Sequence, residues 1–236
     1  MKTCLVHVNG DLQFFIAKKH KEEKIRHTFI HKTTIRDVAS SLGILPPEIQ
    51  VILLNGKPAS IDSVVDDNDF ITLDSGSLSA DSFILDVHLG KLARYIRMLG
   101  FDSFYRNDLA DDEIIEIAHK ENRAILTRDT GILKNKKVRS GYFLRNTMPE
   151  LQLKEVITIF NLSGQFKSFS RCMNCNGKLA EVEKRMVKEL VPTGAWLEHD
   201  QFFQCEHCHQ VYWKGTHFYK MQDFISRVFF IPGMQP

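Results

Sequence analysis

Two C-x-x-C pairs, Cys172-Met-Asn-Cys175 and Cys205-Glu-His-Cys208, stand 29 residues apart in a chain of 236. Each pair lets two thiolates reach one ion from a single tight turn, and two such knuckles complete a tetrahedral sphere. The spacing predicts one structural zinc held by Cys172, Cys175, Cys205 and Cys208 in a ribbon-like module. A sphere filled by four thiolates leaves no position for a reacting water, so this metal shapes the fold and takes no part in chemistry. A redox pair is the alternative reading of either C-x-x-C alone, and the double spacing argues against it. His207 and His209 flank the last cysteine, but four softer, correctly spaced ligands make them bystanders. The stretch from Val187 to Trp196, with Pro192-Thr-Gly194, is expected to form the ribbon's turn. After it, Val211-Tyr-Trp-Lys-Gly-Thr-His217 mixes aromatic, basic and glycine residues. Those aromatics have two readings: stacking on single-stranded bases, or packing of Tyr212 and Trp213 between the ribbon and its neighbour.

The rest of the composition sets bounds. At 43% apolar and 25% charged residues, the chain suits two or three compact domains. No stretch is long and apolar enough to cross a bilayer. The start, MKTCLVHVNGDLQFF, lacks the pattern of a signal peptide. A cytoplasmic protein without membrane contact is the expectation, which also argues against disulfides. Cys4 reads as a small apolar residue in a first strand. A net charge of only +2 excludes a global electrostatic field for nucleic acid and leaves room for a local patch.

Three regions separate by pattern: residues 1–76, 81–162 and 163–236. The first opens with apolar runs at Cys4–Val8 and Leu12–Ile16 joined by Asn9-Gly10-Asp11, a hairpin signal. A helix is expected at Thr34–Leu42, with Thr33 or Thr34 as its cap, Asp37 in its first turn and Gly43 past its end. Strands at Val51–Leu54 and Phe70–Leu73 complete a β-grasp order. The segments LLNGKPAS and DDNDFITL resemble the ubiquitin-like sulfur carriers. Those end in a free Gly-Gly tail, whereas this strand runs on into the small-residue connector Ser75–Ala80, read as a flexible boundary. A binding or spacer role, with a protein partner, is therefore expected of the first region.

The second region alternates strand and helix signals: Phe83–Leu85, a helix with Leu89, Leu92, Ala93, Ile96 and Leu99 at helical spacing, Phe101–Tyr105, a helix capped by Asp111, Ala124–Leu126, Gly141–Leu144 and a helix from Met148 to Phe160. This predicts an α/β fold, a parallel sheet with helices on both faces. Asp86 directly follows the first strand, Asp129 the third, and Asp111 opens the helix after the second. Ligands of open parallel sheets bind beyond the carboxyl ends of the strands, and carboxylates converging there would suit Mg2+ or Mn2+. Read blandly, Asp111 is a helix cap and Asp129 starts a turn. Lys91, Arg94 and Arg97 recur three apart on the first helix, Arg128 precedes Asp129, and Lys134, Lys136, Lys137 and Arg139 follow. Such cations suit a phosphodiester substrate or merely a solvated surface.

The segments FILDVHLGKLARYIRMLGFDSFYRND and DDEIIEIAHKENRAILTRDTGIL resemble the PIN-like ribonuclease domain called Mut7-C. RCMNC, CEHC and VYWKGTH resemble the zinc ribbon fused to it, and the β-grasp start resembles its attached ubiquitin-like domain. The resemblance implies a PIN-like metal-dependent endoribonuclease acting on RNA. Asp86, Asp111 and Asp129 match its acidic metal ligands, while Asn146 stands where the family pattern has a fourth acid. The rival expectation is a non-catalytic RNA-binding or scaffold protein that has kept the fold.

Overall fold

In the computed structural model, residues 1–17 and 24–229 are described. The chain forms two compact units, one of Met1–Ala80, Ala110–Phe143 and Ile159–Asn161, the other of Asp81–Leu109, Leu144–Thr158 and Leu162–Pro236. Residues 230–236, the end of the third expected region, lie outside the described residues. Among the described residues no helix is long and apolar enough to cross a membrane.

In the first unit, β1 (Lys2–Asn9) buries Cys4, Val6 and Val8 at the period of two that a strand imposes. It pairs antiparallel with β2 (Ile25–Phe29) and parallel with β7 (Phe70–Asp74). β7 continues antiparallel to β4 (Val51–Leu54), and β4 to β5 (Lys57–Pro58), giving the order β2-β1-β7-β4-β5 of a β-grasp sheet. A separate two-stranded pair, β3 (Thr33–Thr34) with β6 (Val64–Val65), was not legible as strands. Helix α1 (Ile35–Ser41) presents Ile35, Val38 and Ala39 to the core. Its cap is Thr34, whose hydroxyl accepts the Asp37 N–H at 3.3 Å while Asp37 accepts the Thr34 N–H at 2.9 Å. This reciprocal pairing satisfies amides that the first turn leaves open.

The expected hairpin does not form from Leu12–Ile16. Gly10 takes φ +60° and starts a 3-10 turn over Gly10–Phe15 instead. Leu12 and Ile16, four apart, are the buried residues of that stretch, a helical rather than a strand spacing. The strand that meets β1 comes later, at Ile25. Asn55-Gly56 does make a hairpin turn, with φ of 53° and 77°.

The connector Ser75–Ala80 is tied down rather than loose. Leu78 is 4% exposed and donates its N–H to the Ile159 carbonyl at 3.0 Å. The Ser75 hydroxyl accepts the Asp11 N–H at 3.0 Å. Within the same unit, the buried Glu48 carboxylate accepts the Phe143 N–H at 2.8 Å, and the Phe14 and Phe15 rings sit 6.1 and 6.3 Å from Phe143. This unit also holds α3 (Asp111–Glu121), β10 (Ala124–Thr127), α4 (Thr130–Lys134) and β11 (Gly141–Phe143), with β10 and β11 parallel.

The second unit holds β8 (Ser82–Leu85), α2 (Gly90–Met98), β9 (Asp102–Phe104) and most of α5 (Pro149–Ile159), with β8 and β9 parallel. β8 with β9, and β10 with β11, are thus two parallel pairs, each accompanied by helices of its own unit. Phe83, Ile84 and Leu85 are all buried, as expected of a strand covered on both faces. The chain is thus α/β with a β-grasp start and a C-terminal cysteine module. That module contains β12 (Leu179–Val182), α6 (Thr193–Glu198), β13 (Phe202–Cys205), β14 (Val211–Trp213) and α7 (Thr216–Phe229). β12, β13 and β14 form an antiparallel ribbon in that order.

Candidate metal centre and the strand-end carboxylates

The two knuckles repeat one backbone design. In the first, Cys172 N–H donates to the Gly177 carbonyl at 2.8 Å and Asn176 N–H to the Cys172 carbonyl at 2.9 Å. In the second, Cys205 N–H donates to Gln210 at 3.0 Å and His209 N–H to the Cys205 carbonyl at 3.1 Å. Asn176 and His209 reverse the chain at φ of 72° and 59°. Gly177 is required by packing: a Cβ there would lie 2.8 Å from Cys205 Sγ. The N–H groups of His207 and Cys208 point at Cys205 Sγ, 3.4 and 3.5 Å away.

The result is a quartet in which the sulfurs of Cys172, Cys175, Cys205 and Cys208 all lie within 4.8 Å of one another. Burial works against ionising Cys172, but the Tyr212 hydroxyl at 3.1 Å and the knuckle N–H groups overcome it and hold the thiol down at about 7. Burial pushes Cys175 up to about 12. Further negative charge in this space needs a cation to balance it. Four soft thiolate donors in a closed cluster fit zinc.

The first knuckle is anchored by residues outside the ribbon. Arg97, 3% exposed, donates to the Met173 and Asn174 carbonyls at 3.2 and 2.8 Å and twice to the Ser103 carbonyl, at 3.0 and 2.8 Å. Burial lowers the Arg97 guanidinium below its ordinary value, opposed by Cys172 and Cys175. Asn176 accepts the Ser103 N–H at 3.0 Å and donates to Asp102 at 2.9 Å. Gly100, at φ +95°, lets the Lys167 carbonyl approach where a Cβ would meet it at 2.3 Å. Arg97 thus fastens the knuckle to β9, which corrects its expected place in a phosphate-binding stripe. Residues three apart on a helix drift by about 60° per step, so Arg97 stands far round the helix from Lys91. Lys91 and Arg94 are exposed, and Lys91 lies over the Tyr95 ring at 5.7 Å.

Tyr212 and Trp213 belong to the ribbon itself. Trp213 packs on the buried cluster of Val187, Phe202 and Val211, and Tyr212 supports Cys172. The linker between β12 and β13 is not the expected turn, because it carries a 3-10 turn at Lys184–Val187 and α6. His207 and His209 are exposed and outside the cysteine quartet.

The carboxylates are placed as follows. In the second unit, Asp86 directly follows β8, is 7% exposed, and caps the 3-10 turn Val87–Leu89 by accepting the His88 N–H at 3.2 Å. In the first unit, Asp129 is exposed, follows β10 and caps α4, accepting the Gly131 N–H at 2.6 Å. Asp111 is not the cap of α3. That position is Ala110, whose N–H goes to Glu113 at 2.9 Å, while Asp111 is the exposed first helical residue. Arg128 is exposed. Asn146 donates to Glu155 at 2.8 Å, and the same carboxylate accepts the Arg145 N–H at 2.7 Å. Glu155, nine residues on, escapes a search for an acid directly after β11. Among the described residues, three or more His, Cys, Asp or Glu close enough to share an ion are found in the cysteine quartet, and no such set is made of carboxylates.

Residues 81–225 match the family model described as the Mut7-C RNAse domain, and residues 1–74 match the one described as Mut7-C ubiquitin. No curated protein and no solved structure matches the chain.

Proposed function

The chain belongs to the Mut7-C RNAse domain family, and from that premise we propose that it is a cytoplasmic endoribonuclease that hydrolyses RNA phosphodiester bonds with the help of Mg2+ or Mn2+. The family match over residues 81–225 is the observation that carries the reading. Asp86, Asp111 and Asp129 are the residues assigned to hold the cation, and their oxygens are the hard donors that such ions take. A divalent cation held there supplies positive charge to a phosphate oxygen. Support comes from placement: Asp86 directly after one parallel strand, Asp129 two residues after another, and Asp111 at the start of the helix that follows β9, the ends at which open sheets bind ligands. Asp111 has no hydrogen-bond or ion-pair partner among the described residues, which leaves its carboxylate available.

Lys91, Arg94 and Arg128 are the cations assigned to the RNA backbone, all exposed. Zinc in the cysteine quartet is structural. Four thiols of this kind persist in a reducing compartment, which supports the cytoplasmic assignment, and the β-grasp sheet is assigned to bind a protein partner. The three-part division at residues 1–76, 81–162 and 163–236 is kept for these roles, although the compact units run differently.

A second reading, RNA binding without cleavage, is favoured by the lack of a three-carboxylate group among the described residues. Zinc-loaded full chain assayed on single-stranded and structured RNAs with Mg2+ or Mn2+ separates the two. Internal cuts that depend on the added cation support the nuclease. Retention of RNA with no cut under either cation supports the second reading.

A further inference from the structure

The second unit contains a cleft of about 380 Å3 between the ribbon, the segment Ser168–Arg171 and α7. That volume lies in the range of clefts that hold small flat molecules, roughly 300–1,000 Å3. Its walls are largely aromatic: Phe169, Phe203, Tyr212, Trp213 and Phe218, with Met221 beside them. All six side chains are half-buried, so their faces are neither sealed in a core nor fully in water. Strand alternation explains Phe203: Phe202 points into the ribbon core and Phe203 to the other face. Phe169 is held at φ +62°, a left-handed backbone that bulky side chains disfavour, and its ring lies 4.5 Å from that of Phe218. Such outliers cluster at ligand clamps.

The charge of the lining narrows the occupant. None of the lining residues is acidic, and two, Arg171 and Lys214, are cationic. Arg171 is engaged by Asp102 at 3.2 Å and by the carbonyls of Gly100 and Asn176. Lys214 is exposed and has no ion-pair partner among the described residues. A purely apolar peptide would leave this cation unused. A planar base carrying an anionic phosphate would satisfy both the aromatic walls and Lys214.

We infer that this cleft takes one unstacked base of a single-stranded RNA, with the adjoining phosphate on Lys214. The inference deepens the proposed function by assigning single-stranded RNA as the form of substrate, and it rests on that reading for the choice of nucleic acid. Tyr212 links the cleft to the metal centre through Cys172, so an intact quartet holds one wall in place.

The test uses zinc-loaded full chain without added Mg2+ or Mn2+, and a short oligouridine carrying one central 2-aminopurine. Stacking should quench the probe on binding. Phe203→Ala should abolish the quenching and weaken binding by about tenfold or more, the effect of losing one stacked base. Lys214→Ala should weaken binding less and lower the slope of affinity against salt by about one. Met221→Trp, which fills the cleft without removing a wall, should also abolish quenching, and zinc content checks that each variant is folded. Wild-type affinity and quenching in both Phe203→Ala and Met221→Trp would overturn the inference and leave the cleft to an apolar peptide. Binding with quenching but no cleavage under any cation would sink the nuclease reading alone. Cleavage without quenching would sink the cleft alone.

Discussion

Among the described residues of the first 80, fourteen buried apolar side chains, including Val6, Leu12, Ile35, Ile71 and Leu73, cluster on a five-stranded sheet. In the ribbon, Val187, Phe202 and Val211 make up the buried cluster, with Val182, Val191 and Trp213 partly covering it. Both regions are small sheets, but apolar burial at roughly 1.5–3 kcal/mol per large side chain can hold the first and is thin in the second. What the ribbon lacks in core it has in four clustered cysteines, two knuckles and the Arg97 anchor. A sheet of this size can be closed by oil or by metal, and the ribbon has the donor set for the second solution.

The sharpest way to break that contrast is to remove the metal. Purified protein should carry about one zinc per chain, since a closed four-thiolate site binds one ion. Stripping it, or making Cys205→Ser, should expose the amides of β12, β13 and β14 to hydrogen exchange while those of β1, β4 and β7 stay protected. Structural zinc contributes on the order of 10–16 kcal/mol in small modules, so no other change should be as large. Ribbon amides that stay protected without metal would put the core, not zinc, in charge.

Arg97→Ala sharpens the comparison by cutting the anchor and leaving the ligands. The carbonyls of Ser103, Met173 and Asn174 would lose a charged donor, which should cost roughly 3 kcal/mol in urea unfolding. The salt dependence of RNA binding should not change, whereas Arg94→Ala should lower its slope. The opposite pattern would return Arg97 to the phosphate-binding set.

The smallest effect belongs to the β-grasp region. Thr34→Ala removes half of the reciprocal cap and should cost about 1 kcal/mol, read as a lower urea midpoint with zinc retained. The Thr34 hydroxyl and N–H hold the Asp37 carboxyl below its ordinary value. A depressed carboxyl contributes stability above its unfolded pKa and loses it as pH falls through the folded one. The gap between wild type and Thr34→Ala should therefore be full near neutral pH and shrink below about pH 4. A gap that widens in acid would contradict the cap.

The cysteine quartet was legible because its geometry is local: each knuckle is written in four consecutive residues. The β-grasp order and the strand–helix alternation were legible from periodicity. Arg97 was misread because its spacing from Lys91 and Arg94 resembles a stripe, while two of its partners, the carbonyls of Met173 and Asn174, lie 76 and 77 residues away. Leu12–Ile16 was misread because an apolar run of five carries no clear period. α7 went unseen although Phe218, Met221, Ile225 and Val228 recur at helical spacing, a signal masked by the aromatic content of that stretch. The strand-end carboxylates were placed by topology rather than by spacing, so their joint role is a matter for chemistry to test.

That test is single-turnover cleavage of an end-labelled single-stranded RNA in Mn2+, comparing zinc-loaded wild type with Asp86→Asn and Asp129→Asn. Each change keeps the side-chain shape and removes a charge, so zinc content and melting should stay at wild-type values. The rate should fall by orders of magnitude in both variants. Wild-type rates in both would contradict it and assign the cleavage to another site.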